Sequence, residues 1–148
     1  PLTDHRRELP LDKKGELVKA HPDFHLVISY NPGYQSLMKD LKQSTKQRFG
    51  ALDFDYPESA VEAEIVTRES GVAAEISEKL VQVALRSRNL KGHGLDEGMS
   101  TRLLVYAGQL ISKGIEPIAA CRLTLVRPLT DDPDMRDTLD AAVHTFFD

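Results

Sequence analysis

The sequence predicts an α+β, helix-rich protein in which short strands come first and a bundle of helices follows. Up to about Pro57, short apolar runs with β-branched and aromatic residues alternate with turn residues. After that point, apolar residues recur at three- and four-residue spacing between Gly, Pro and Asp signals. We therefore expect two parts, residues 1–57 and residues 58–148.

Composition excludes several classes of function. The 148 residues include 19 Lys and Arg against 23 Asp and Glu, a net charge of −4. This balance argues against nucleic-acid binding, which usually leaves a basic excess. The apolar runs are too short to cross a membrane. The single cysteine, Cys121, permits no internal disulfide and falls in an apolar-periodic stretch, so we expect a buried thiol. A reducing compartment is compatible with one unpaired cysteine but does not follow from it, and we expect a cytoplasmic protein.

The first part predicts a hairpin followed by isolated strands. Residues 12–15 form a four-residue loop ending in Gly, and Pro10 restricts the strand before it to an edge or to irregular structure. Residues 24–30 read as a buried strand that stops at an Asn-Pro-Gly turn. We expect a helix over residues 37–48 and a short strand over residues 52–54.

The second part predicts a series of helices. A capping box at Ser59–Glu62 predicts a helix to about Ser70. Ser100 is the expected cap of another helix, and Pro117 and Pro133 suit the first turns of two more. The expected core-facing residues are Ile76, Leu80, Val83 and Ala84, then Leu103, Leu104, Ala107, Leu110 and Ile111, then Met135, Leu139, Ala142, Val143 and Phe146.

Four segments, in order, resemble MoxR-type AAA+ ATPases of the branch that includes CbbQ, NirQ and NorQ. Residues 21–34 resemble the fourth core strand and its turn, and the β-hairpin before them fits the same family. Residues 46–49 resemble the end of the arginine-finger helix, and residues 98–104 the start of the sensor 2 helix. Residues 125–135 are similar to the C-terminal region of the branch. The resemblance implies a partial AAA+ α/β core followed by a helical lid.

The resemblance assigns a role to three residues. Asn31 matches sensor 1, which orients the attacking water or contacts the γ-phosphate. Arg48 matches the arginine finger, which acts on the nucleotide of a neighbouring subunit. Arg102 matches sensor 2, which binds the nucleotide of its own subunit.

Each of these residues also has an ordinary structural explanation. Asn31 suits a turn, and Arg48 suits the negative end of a helix dipole. Arg102 is different, because a cation in the first turn of a helix opposes the dipole. A salt bridge to Asp96 or Glu97 is the competing explanation for Arg102. The histidines form no metal-ligand pattern with Cys121, and we expect no metal ligands in this chain.

The sequence departs from the family at the nucleotide-binding segments. It contains no G-x-x-x-x-G-K-[ST] motif and no apolar strand ending in Asp-Glu, which would hold phosphate and Mg²⁺. We therefore expect a fragment with no ATPase activity of its own, whose full-length parent binds ATP and Mg²⁺.

The resemblance also implies partners for that parent. It implies a homo-oligomer, a hexameric ring, that works with a von Willebrand factor A domain protein and activates a target enzyme such as Rubisco or nitric oxide reductase. The alternative is a non-enzymatic helical interaction module.

Overall fold

The computed structural model describes Leu2, residues 4–29 and residues 47–148. The chain divides into two compact units, Pro1–Asp53 and Phe54–Asp148. The described residues of the first unit contain a β-hairpin, and the second unit consists of helices.

The hairpin forms as the sequence predicts. Strand β1 (Glu8–Leu11) pairs antiparallel with strand β2 (Glu16–Lys19), and Pro10 lies opposite Leu17. Gly15 ends the loop with φ +67°, a conformation that glycine adopts without a steric penalty. Because β1 and β2 pair only with each other among the described residues, Pro10 sits on an edge strand, where its missing N–H is tolerated.

Arg7 holds the chain where it leaves the hairpin. Its Nη2 donates to the backbone oxygens of His21, Pro22 and Phe24, at 2.7, 3.1 and 3.2 Å. The Arg7 backbone oxygen accepts from the amide of Ala20 at 2.8 Å. The three carbonyl oxygens have no partner on a neighbouring strand. The Arg7 guanidinium supplies the hydrogen bonds that such a strand would otherwise provide.

The two strands predicted after the hairpin are not formed within the described residues. Residues 24–29 and 52–54 form no ladder with any described residue. Val27 is 88% exposed and Phe54 is 91% exposed, so neither apolar run is covered. A strand requires a hydrogen-bonded neighbouring strand, and neither run has one among the described residues. The helix predicted over residues 37–48 falls mostly outside the described residues, and residues 47–48 form a turn.

All the helices predicted for the second part of the chain are present in the second unit. They are α1 (Ser59–Ser70), α2 (Ala74–Arg88), α3 (Thr101–Ser112), α4 (Pro117–Cys121) and α5 (Pro133–Phe147). A π-helical turn, Arg122–Val126, continues α4 without a break.

Helix ends follow the sequence signals with two exceptions. Gly71 ends α1 in the left-handed conformation, φ +73°. The carboxylates of Glu116 and Asp132 cap the helices that begin with Pro117 and Pro133. Two backbone N–H groups donate to Glu116, at 2.9 and 2.7 Å, and hold its pKa below the usual value.

One exception is Ser100, which occupies the N-cap position of α3 without a side-chain cap hydrogen bond. The other is the capping box at the start of α1. The N-cap residue is Glu58, it makes no side-chain cap hydrogen bond, and Ser59 is already helical. Glu62 does not reach back to the helix start, because its carboxylate is buried against Arg88. A charged partner with two donors offers a stronger interaction than one backbone N–H.

The core of the helical unit contains residues from every helix. Leu80, Met99, Leu104, Leu125 and Leu139 are its largest fully buried apolar residues. Cys121 is buried too, and burial raises the pKa of its thiol to about 12, which confirms its expected role as a small apolar residue. The π-helical turn places Leu125 and Val126 in this core.

Replacing a buried leucine and an exposed leucine in turn should show how much burial contributes to the stability of this core. We predict that Leu80→Ala lowers the free energy of unfolding by about 2–5 kcal/mol, because the cavity at a fully buried site cannot be refilled. The control is Leu123→Ala, the same chemical change at a residue that is 52% exposed, with an expected effect within about 0.5 kcal/mol. Urea denaturation measures both, and equal losses would contradict this core assignment.

Candidate functional site

Arg102 lies in the first turn of α3 with its side chain exposed. The N-cap residue, Ser100, has extended backbone angles and makes no side-chain cap hydrogen bond. The first turn of α3 contains no acidic residue. An arginine in this position faces the positive end of the helix dipole without a compensating carboxylate on its own helix.

The structure does not support the salt-bridge explanation for Arg102. Within the described part of the chain, Arg102 forms no ion pair, and neither do Asp96 and Glu97, which are both exposed. The cation is thus placed where an anion would be favoured, and no described side chain supplies that anion.

A buried ion pair lies directly behind the start of α3. Arg88, the last residue of α2, donates from Nη1 and Nη2 to the two carboxylate oxygens of Glu62 in α1, at 2.8 and 2.7 Å. The Glu62 side chain is fully buried and that of Arg88 is 10% exposed. This parallel, two-bond geometry is the strongest that a guanidinium and a carboxylate form.

The end of α2 also holds the backbone that leads into α3. Arg88 donates from Nε and Nη2 to the carbonyl oxygen of Met99, at 3.0 and 2.9 Å. The amide of Met99 donates to the hydroxyl of Ser87 at 3.0 Å. Both polar groups of the Met99 peptide are therefore fixed by the end of α2.

Thr101 completes the connection between the three helices. Its hydroxyl donates to Glu62 Oε1 at 2.6 Å. Glu62 thus binds a residue from the end of α2 and a residue from the beginning of α3. The buried carboxylate accepts three hydrogen bonds, which offset the cost of removing it from water.

Gly98 and Tyr56 cover the other sides of Arg88. A Cβ atom at Gly98 would lie 2.6 Å from Arg88 Cγ and 2.8 Å from Arg88 Cα, so a larger residue does not fit there. The ring of Tyr56 stacks on the guanidinium, with 3.6 Å from its carbon to the ring centroid. Residues 98–101 are consequently held on several sides, and Arg102 is the first residue beyond this support.

Arg48 lies in the first unit and is described within that unit only. Its Nη1 is 3.9 Å from Asp4 Oδ2, and its side chain is 42% exposed. Asp4 is bound more closely by Arg6, at 2.7 Å, and that hydrogen bond holds the pKa of the carboxyl well below its usual range. Arg48 therefore makes only a loose contact with an acid that already has a partner.

The third predicted site residue, Asn31, lies outside the described residues, so its role stays a prediction. Within the described ranges, His, Cys, Asp and Glu form no cluster suited to a metal ion.

Sequence reasoning missed Glu62, Arg88 and Thr101. A signal was present for the two charged residues, since Glu62 precedes Val66 by four residues and Arg88 follows Ala84 by four. Each charge therefore falls on the buried face of its own helix. Two opposite charges on buried faces of neighbouring helices predict a buried pair, because neither is tolerated alone.

Comparison with known proteins identifies the family. The family model described as CbbQ/NirQ/NorQ C-terminal matches residues 62–146. The chain belongs to this family. The matched segment starts at Glu62 and includes Arg88, Thr101 and Arg102.

Named relatives agree with this assignment. The chain is 71% identical to "Protein CbbQ" of Hydrogenophilus thermoluteolus, with 99% of this chain and 55% of the relative aligned. It is 53% identical to "Denitrification regulatory protein NirQ" of Pseudomonas aeruginosa, covering 90% and 51%. It is 52% identical to "Protein NorQ" of Paracoccus denitrificans, covering 92% and 50%.

The chain spans about half the length of these relatives of the CbbQ/NirQ/NorQ branch. The predicted membership of this AAA+ branch is thereby confirmed, and the helix-rich fold agrees with it. None of the helices in the described ranges combines the length and the apolar character of a membrane span.

A double-mutant cycle should show how strongly Glu62 and Arg88 depend on each other. We predict that Glu62→Ala or Arg88→Ala lowers the free energy of unfolding by about 3–5 kcal/mol, because each leaves a buried charge without its partner. The double variant should lose much less than the sum of the two single losses.

A matched control pair lies on α1, the helix that also carries Glu62. Glu64 and Arg68 form an exposed ion pair in α1, for which we expect a coupling energy of about 0.3–0.5 kcal/mol. Chemical denaturation of all six variants gives both coupling energies. A coupling for the buried pair no larger than that of the exposed pair would contradict its assigned importance.

Proposed function

We propose that this chain provides the nucleotide-sensing residues and the helical lid of a AAA+ ATPase that uses ATP hydrolysis to remodel or activate a target protein. The observation that carries the proposal is Arg102. It is an exposed cation in the first turn of α3, without an ionic partner among the described residues, and it follows a rigidly held segment. Membership of the CbbQ/NirQ/NorQ family supports the same function.

A nucleotide phosphate would supply the anionic partner that Arg102 lacks among the described residues. The exposed N–H groups and the dipole at the start of a helix favour an anion, and the guanidinium adds a positive charge with a fixed fork of donors. This combination costs stability in the absence of an anion and binds phosphate in its presence. We assign Arg102 to the nucleotide of its own subunit, in the sensor 2 role.

Arg48 and Asn31 take the other two roles in the proposal. The loose 3.9 Å contact to Asp4 leaves the Arg48 guanidinium able to bind another anion, as an arginine finger requires. A finger stabilises the charge that develops on the phosphoryl group in a neighbouring subunit. Asn31 would orient the attacking water. These assignments are supported by the order of the motifs along the chain.

The remaining parts of the proposal concern the whole protein. ATP and Mg²⁺ would be held by segments that this sequence does not contain, and the subunits would form a hexameric ring in the cytoplasm. A von Willebrand factor A domain protein would link the ring to its target. The target would be a metabolic enzyme of the Rubisco or nitric oxide reductase type. The name of the NirQ relative, denitrification regulatory protein, supports a regulatory role.

The test compares two arginine variants in a ring that also contains the phosphate-binding segments. Arg102→Ala should weaken nucleotide binding, because the contact exists in the ground state. Arg48→Ala should bind nucleotide almost normally and lose turnover, by up to about 10³–10⁵-fold, because a finger acts on the transition state. Arg68→Ala, which removes an exposed arginine from a surface pair, is the control and should change neither property.

Mixing subunits separates action within a subunit from action between subunits. Subunits with Arg48→Ala should regain activity when mixed with subunits whose phosphate-binding loop is disabled, because each provides what the other lacks. Subunits with Arg102→Ala should show no such rescue. Equal rescue of both variants, or full activity of both alone, would refute the assigned roles.

A further inference from the structure

The start of α3 lacks the usual means of holding its first turn. The first N–H groups of a helix have no partner within the helix, and a side chain at the N-cap usually binds one of them. Ser100 makes no such bond. The described contact that fixes the first turn is instead the 2.6 Å hydrogen bond from the Thr101 hydroxyl to Glu62.

The position of Thr101 determines where its neighbour points. Consecutive residues of an α-helix are rotated by about 100° around the axis. Thr101 faces inward toward Glu62, on the same side as the fully buried Leu104. Arg102 is therefore turned out of the core toward solvent. A first turn that frays or rotates would move the guanidinium away from this direction.

Stability alone does not explain a buried ion pair at this point. Replacing such a pair with apolar residues of similar volume is often neutral or stabilising, so a contribution to stability does not by itself account for the pair. Here the pair imposes geometry on Met99 and Thr101, through three hydrogen bonds. Thr101 lies immediately before Arg102, and Met99 lies three residues before it.

We propose that Thr101 and Glu62 are positioning residues for Arg102, and that their hydrogen bond sets the direction from which Arg102 meets the nucleotide phosphate. This inference rests on the proposed function, because it requires Arg102 to bind nucleotide. It adds that the affinity of the site depends on a buried carboxylate in α1, which touches neither the nucleotide nor Arg102 itself.

The test uses the full-length ring and a fluorescent ADP analogue with Mg²⁺. Thr101→Val keeps the shape of the side chain and removes the donor, and it should raise the Kd about three- to tenfold. Thr101→Ser keeps the hydroxyl and should bind within about twofold of the unaltered protein. Thr138→Val is the matched control, because Thr138 is exposed on α5 and bonds only to its own helix.

The decisive measurement repeats Thr101→Val in the Arg102→Ala background. If Thr101 acts through Arg102, Thr101→Val should leave the Kd of the Arg102→Ala ring unchanged. Equal weakening in both backgrounds would overturn the inference, because Thr101 would then act on the site as a whole. Unchanged affinity of Thr101→Val beside a weakened Arg102→Ala would overturn the inference and leave the proposed function intact.

An Arg102→Ala ring that binds as tightly as the unaltered protein would refute the inference and the sensor 2 assignment together. Ring assembly is measured for every variant. If Thr101→Val does not assemble, Thr101→Ala is compared in the same two backgrounds and decides the question by the same criteria.

Discussion

The buried carboxylate of Glu62 is the group on which the arrangement of the helical unit depends. It accepts two hydrogen bonds from the end of α2 and one from the beginning of α3, and it belongs to α1. An uncompensated carboxylate at this depth would cost several kcal/mol. The three helices must therefore meet in one register, since a shift of any of them leaves the charge without a partner.

Two of the arginines in the unit, Arg88 and Arg102, have surroundings that assign them different tasks. Arg88 is enclosed by a carboxylate, a carbonyl oxygen and an aromatic ring, so its charge is neutralised and its donors are used. Arg102 is exposed at a helix start, and the described residues do not neutralise it. The first arginine consolidates the structure, and the second is available for an external anion. Arg88 binds the carbonyl of Met99, which is three residues before Arg102, so the first arginine helps to fix the backbone that carries the second.

Much of the helical unit could be predicted from the sequence. The periodic apolar residues around Leu80, Leu104 and Leu139 identified the core, because burial of one helix face depends on local spacing. Gly71 and Pro133 marked an end and a beginning for reasons that are local to each residue. The hairpin was equally accessible, since its loop is determined by four consecutive residues.

The failures share one physical cause, which is dependence on residues distant in sequence. Residues 24–29 carry every local feature of a strand, but a strand exists only beside another strand. Glu62 fits a capping box locally, and its actual partner is 26 residues away. Thr101 gives no local signal at all, because its role depends on where α1 places a carboxylate.

The most direct test of this account is a structure of the full-length ring with Mg²⁺ and nucleotide bound. We expect the Arg102 guanidinium to lie within about 2.7–3.2 Å of a phosphate oxygen in its own subunit, while the Thr101 hydroxyl still donates to Glu62. A ring in which Arg102 points away from a bound nucleotide, or in which Arg102 binds phosphate after the Thr101–Glu62 bond has broken, would contradict it.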